Sequence, residues 1–195
     1  MNGTSIASRT TKWLAMPVLM LVSRTISGDD VRTVTIFQGR QIAVAVPAGW
    51  KYDEALDPHH NTPTLHVQDP DGQVAVVLAF FPDPANTQPD RADLEAEAQN
   101  LFEPFLESAV EKDMKLTYFD APDGGGVYAS FTDGNLDPEN VPEDDKLIST
   151  AGLRSMKGVY VLFTVLTNSR DSAAYRTALD LVRGELRQVK TPVSF

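Results

Sequence analysis

LISTAGLRSMKGVYVLFTVLTN, residues 147–168, decides how this chain folds. Ile148, Thr150, Gly152, Arg154 and Met156 recur at every second position, as do Val159, Val161, Phe163 and Val165. A period of two in β-branched and aromatic side chains is the pattern of a strand. Lys157 and Gly158 separate the two runs, and Gly158 supplies the positive φ that a tight hairpin connection needs. Tyr160, Leu162, Thr164 and Leu166 make the alternate face of the second strand largely apolar too. That strand is therefore expected at the centre of a sheet covered on both sides. Residues 73–81, QVAVVLAFF, are nearly continuous apolar sequence and belong beside it.

Working outward, residues 34–37 and 41–46 flank Gln38-Gly39-Arg40 and read as a hairpin. Pro47-Ala48-Gly49-Trp50 breaks the second of these strands. Trp50 is expected to anchor the core, the alternative being a ligand-stacking platform. Residues 53–63 read as a polar loop, 64–68 as a short strand and Asp69-Pro70-Asp71-Gly72 as a type I turn. Leu94, Ala98, Leu101, Phe102, Phe105, Leu106, Ala109 and Val110 follow helical spacing, which predicts a helix over 90–113 capped by Asp90. Pro104 lies inside it, so a kink near Asn100 is expected, or two helices with Pro104 in the first turn of the second. Residues 116–119 and 126–132 read as strands around a loop at 120–125, and 133–145 as a long acidic loop. Tyr175, Ala178, Leu179, Val182, Leu186 and Val189 form one stripe and predict a last helix over 171–189, capped by Asn168, Ser169 or Asp171. The fold class expected is α+β, an antiparallel β-sheet with helices packed on it.

The N-terminus carries its own pattern. Arg9 and Lys12 precede WLAMPVLMLV at 13–22, and small residues Thr25 and Ser27 follow before Gly28. A basic start, a short apolar run and a small-residue site are the layout of a secretory signal peptide. The run is too short to span a bilayer. Residues 1–27 are accordingly expected to be a signal peptide, 28–190 a single α+β domain and 191–195 a tail. The expected location is periplasmic or secreted; otherwise the chain is cytoplasmic, with the segment left as a loosely docked extension or placed by an upstream start site.

Composition narrows the chemistry. The chain has 195 residues, a formal charge of −10 and no cysteine. Disulfides, thiol catalysis and cysteine-bound metals are thereby excluded. The acidity makes nucleic acid and anionic membranes poor partners. No nucleophile elbow, phosphate loop, zinc-protease helix or dinucleotide fingerprint occurs. The three histidines are His59, His60 and His66. With Asp57 and Asp69 nearby they are a candidate set for a transition metal or for a hydrolase site, if the fold brings them together. Asp133, Asn135, Asp137 and Asp144 echo calcium-loop spacing, but Pro138 stands where the sharp-turn glycine belongs. A solvated acidic loop is the expected reading there.

One polar row stands out on the long helix. Gln99, Glu103, Glu107 and Glu111 recur every four residues, opposite Leu94, Leu101 and Phe105. Like charges at that spacing destabilise a helix by about 0.2–0.5 kcal/mol per pair. Glu103, Glu107 and Glu111 are therefore the candidate partner-binding residues, with solubility as the competing explanation.

The order of hairpin, turn, strands, long helix, further strands and C-terminal helix, with Val46-Pro47-Ala48-Gly49-Trp50 closing an early strand, resembles the PsbP-like superfamily and its exported bacterial DcrB-like members. The resemblance covers roughly residues 33–189 and rests on architecture more than on local motifs. It implies an α/β/α sandwich and a non-enzymatic protein that acts through protein–protein contact. The reading is thus an exported binding or assembly protein with no cofactor, whose partner is another protein. The alternative is a hydrolase or metal-dependent enzyme with a site near His60 and His66.

Overall fold

The computed structural model describes residues 30–57, 61–83 and 89–189. In chain order the elements are β1 (Asp30–Thr35), β2 (Gln41–Val46), β3 (Lys51–Asp57), β4 (Thr62–Gln68), β5 (Val74–Pro82), α1 (Arg91–Leu106), β6 (Thr117–Ala121), β7 (Gly124–Thr132), β8 (Ile148–Met156), β9 (Val159–Thr167), α2 (Ala173–Gly184) and β10 (Leu186–Gln188). Seven strands form one sheet in the order β3-β4-β5-β9-β8-β7-β6, and β1-β2-β10 form a second. Every pairing is antiparallel. The molecule is an α+β protein, as its alternation of periods two and 3.6 requires.

The organising hairpin is β8–β9. Met156 opposes Val159 across a two-residue turn, and Gly158 takes φ 70°. β9 is the middle strand of the seven and lies between β5 and β8. Its residues Val161, Phe163 and Val165, with Val76, Leu78 and Phe80 of β5, face the main core. Tyr175, Ala178, Leu181 and Val182 of α2 and Ile42, Val44, Val46 and Leu186 of the small sheet close that core from above. On the opposite face, Leu94, Ala98 and Phe102 of α1 pack on Val127, Ala129, Phe131, Ala151 and Leu153. Trp50 lies half-buried against the main core, with its amide bonded to Pro47 O and Gly49 at φ 80°.

Several expectations change. The first hairpin does not join the main sheet: β1 and β2 pair with β10 to make the separate small one. Residues 53–57 are strand, not loop, and pair with β4 from Lys51↔Gln68 to Asp57↔Thr62. An edge strand with both faces near water carries polar residues on both, which is why it reads as a loop. The 120–125 loop shrinks to Pro122-Asp123, with Ala121 and Gly124 already paired.

Both helices are shorter than their apolar spacing suggests. α1 runs through Pro104 and stops at Leu106, so Ala109 and Val110 lie outside it. Pro104 lacks the amide that would bond to Asn100, and only two further residues stay helical. Asp90 caps α1 in a capping box with Asp93. α2 ends at Gly184, and Leu186 leaves it to pair with Val44 on β2. Its cap is Ser172, whose hydroxyl accepts from Tyr175 N at 3.0 Å, rather than Asn168, Ser169 or Asp171.

Candidate functional site

The seven-stranded sheet is covered unequally. α1 lies over β7 and β8, whereas α2 and the small sheet span the other face. β5 shows the result: Val74, Val76, Leu78 and Phe80 are buried, while Ala75, Val77, Ala79 and Phe81 stay half-exposed. The same alternation holds on β9, where Thr164 and Leu166 are half-buried and Tyr160 and Leu162, also half-buried, pack against the α1 core. β9 is central, as expected, but among the described residues its second face is only half-buried rather than sealed. A single 16-residue helix, seated on β7 and β8, is too narrow to cover seven strands.

Register assembles these side chains into one surface. Phe81 opposes Tyr160, Ala79 opposes Leu162, Val77 opposes Thr164 and Ala75 opposes Leu166. His66 of β4 extends the Val77 row, and Asp53 of β3 extends it again. The surface is an apolar strip about two strands wide, rimmed by polar groups. Burial pushes the His66 imidazole below its ordinary range, and the Asp53 carboxylate beside it only partly offsets that. Burial thus favours the neutral form of His66. At the other rim, burial first and then the charges of Asp83, Glu97 and Asp93 push the Tyr160 phenol up. A hollow of about 350 Å³ separates Tyr160 and Leu153 from Asp93 and Glu97 on α1.

The residues singled out from the sequence fall into different places. His66 lies on the open face, and His59 and His60 lie outside the described residues. Asp57 ends β3. Asp69 is buried at the β4–β5 turn, where its carboxylate accepts from Val74 N at 2.7 Å. That bond commits one carboxylate oxygen to closing its own turn. Among the described residues no three His, Asp or Glu side chains cluster to hold a metal ion. In the 133–145 loop, Asp133 accepts from Asn135 N and Asp137 accepts from Glu139 N, so both carboxylates close local turns.

The acidic row is also divided. Glu103 is exposed on α1, and Glu107, likewise exposed, is its C-cap. Glu111 lies beyond the helix and accepts from Thr132 N at 2.6 Å, Thr132 Oγ1 at 2.9 Å and Arg170 Nη2 at 3.1 Å. Burial acts to raise its pKa, but these bonds outweigh that and hold the carboxyl below its usual range. Glu111 thus clamps the end of β7 to the start of the α2 segment. In β5 the outward row Ala75, Val77, Ala79 and Phe81 is apolar yet only half-buried. No protein-family model matches the chain, and no curated protein sequence matches it either.

Proposed function

We propose that this chain is an exported, non-enzymatic binding or assembly protein of PsbP-like architecture that works through protein–protein contact. The observation that carries the reading is the half-exposed strip Ala75, Val77, Ala79 and Phe81 with Leu162 and Leu166. Contiguous apolar surface beside polar rims is what protein interfaces are made of. The layering supports the architectural part: α1 on one face of the large sheet, α2 and a small sheet on the other. The N-terminal layout Arg9, Lys12, 13–22, Thr25 and Ser27 supports export. Glu103 and Glu107 are the charges offered to a basic rim on the partner.

The test joins compartment and contact. A photoreactive amino acid placed at Val77 in the tagged chain is crosslinked in its native host, which is then fractionated. A discrete crosslinked protein in the periplasmic or secreted fraction is expected. The same probe at Thr117, exposed on the far edge strand, serves as the comparison. Equal labelling at the two positions, or a chain retained in the cytoplasm with Met1 intact, overturns the reading.

A further inference from the structure

A second hollow lies on the α1 side of the large sheet, and its floor is made by glycine. Asp120 opposes Gly125, and Ser155 opposes Tyr160. Gly126 opposes Arg154, so Gly125 sits next in register to Ser155. Lacking a side chain, Gly125 leaves space between Asp120 and Ser155; a Cβ there would lie 4.0 Å from Asp120 Oδ1. Arg91 and Leu94 of α1 and the preceding Pro89 form the roof, and the volume is about 560 Å³. That is within the range of about 300–1,000 Å³ typical of small-molecule sites.

Three polar groups in this hollow are uncommitted. Ser155 is 2% exposed, and its hydroxyl has no hydrogen-bond partner among the described residues. A buried hydroxyl left without a partner is costly and uncommon in native proteins. Arg91 is held with its guanidinium 3.8 Å over the Tyr118 ring, and Tyr118 is itself fixed by donating to Glu95 at 2.8 Å. Stacking orients the guanidinium plane but leaves its N–H edges for a carboxylate. Asp120 is exposed, and its carboxylate has no ion pair among the described residues.

We propose that this hollow binds a free α-amino acid with an apolar side chain. One anion, one cation and one hydroxyl around an apolar wall are complementary to a zwitterion. Asp120 takes the ammonium and Arg91 the carboxylate. Ser155 completes the buried end, and Leu94 with Pro89 receives the side chain. The site is independent of the protein-contact surface, since it uses the β6–β7 side of α1 and the apolar strip lies on the β5–β9 side.

Calorimetric titration of the full chain with L-leucine, N-acetyl-L-leucine and L-leucinamide tests it. Leucine is expected to bind, and each blocked analogue to bind at least about tenfold more weakly, the equivalent of about 1.4 kcal/mol. Ser155→Ala and Arg91→Gln should each weaken leucine by a similar factor. Ser155→Ala should also unfold no earlier than the parent, because it removes a hydroxyl that has no partner. No binding of leucine at millimolar concentration overturns the proposal. So does binding that survives both substitutions, or blocked analogues that bind as well as leucine.

Discussion

Gly152 and Phe163 face each other across β8 and β9, and the ring occupies the space a Cβ would need. A Cβ on Gly152 would stand 1.9 Å from Phe163 Cζ. Phe163→Ala is expected to cost about 3–5 kcal/mol, a large-to-small change in a buried ring. Gly152→Ala should cost about 1–3 kcal/mol by overpacking. The double variant Gly152→Ala with Phe163→Ala should cost less than the two single changes together, because the smaller side chain vacates the space the new methyl needs. Urea denaturation of the four proteins measures this, and strict additivity would show that the two sites do not share that space.

His66 gives a pH dependence at the same scale. Its folded pKa lies below the ordinary 6.5, so the unfolded chain takes up the proton first as pH falls. Stability is therefore held above the ordinary value and lost as pH drops from it towards the lower folded one. His66→Gln should remove that part of the loss. Comparing denaturation midpoints of the two proteins on either side of the ordinary histidine value checks it; parallel losses would place the titration elsewhere.

At the scale of elements, α1 is the informative one. It has an acidic first turn and a capping box at Asp90 but no basic residue in its last turn, where Glu107 sits. A negative charge at a helix C-terminus opposes the dipole, and Glu103 lies one turn before it. Glu107→Lys is expected to stabilise the fold by about 0.3–1 kcal/mol, measured by the same denaturation. Should Glu103 and Glu107 steer a basic partner, Glu103→Gln with Glu107→Gln should slow association and flatten its salt dependence while leaving dissociation nearly unchanged. Stopped-flow mixing with the crosslinked partner, at low and high salt, separates solubility from recognition. Glu111 is omitted from that pair because Thr132 and Arg170 already engage it.

On the scale of the whole molecule, Arg154 ties three pieces together. It is fully buried on β8, and its guanidinium donates to Val182 O at 3.0 Å and Leu186 O at 2.9 Å. Burial lowers its pKa, an effect that the charges of Asp123 and Glu185 oppose. The carbonyls belong to the last turn of α2 and to the start of β10, where the helix dipole is negative. Arg154→Met is expected to cost about 3–6 kcal/mol, since it removes two hydrogen bonds to a charged donor that contribute about 1.5–3 kcal/mol each. Amide exchange at Leu186–Gln188 should rise ahead of β5 and β9. Uniform loosening of all strands would mean that Arg154 serves the core at large rather than this junction.

Sequence alone determined the local skeleton: the β8–β9 hairpin at Lys157-Gly158, the apolar run of β5 beside it, the Pro47-Trp50 turn, the Asp90 cap and the α+β class. These depend on period, turn chemistry and capping, which act within a few residues. Tertiary structure decided what each element meets. β3 reads as loop until β4 pairs with it. Leu186 reads as the next turn of α2 until β2 offers a strand partner. Arg154 reads only as one position of a strand until the end of α2 and β10 supply carbonyls. The strip on β5 and β9 was legible as apolar but not as only half-buried among the described residues, because cover depends on where α1 lands and no spacing within β5 encodes that. The hollow over Gly125 was invisible for the same reason: it is a gap between side chains from four separate elements, set by register and packing rather than by any local pattern.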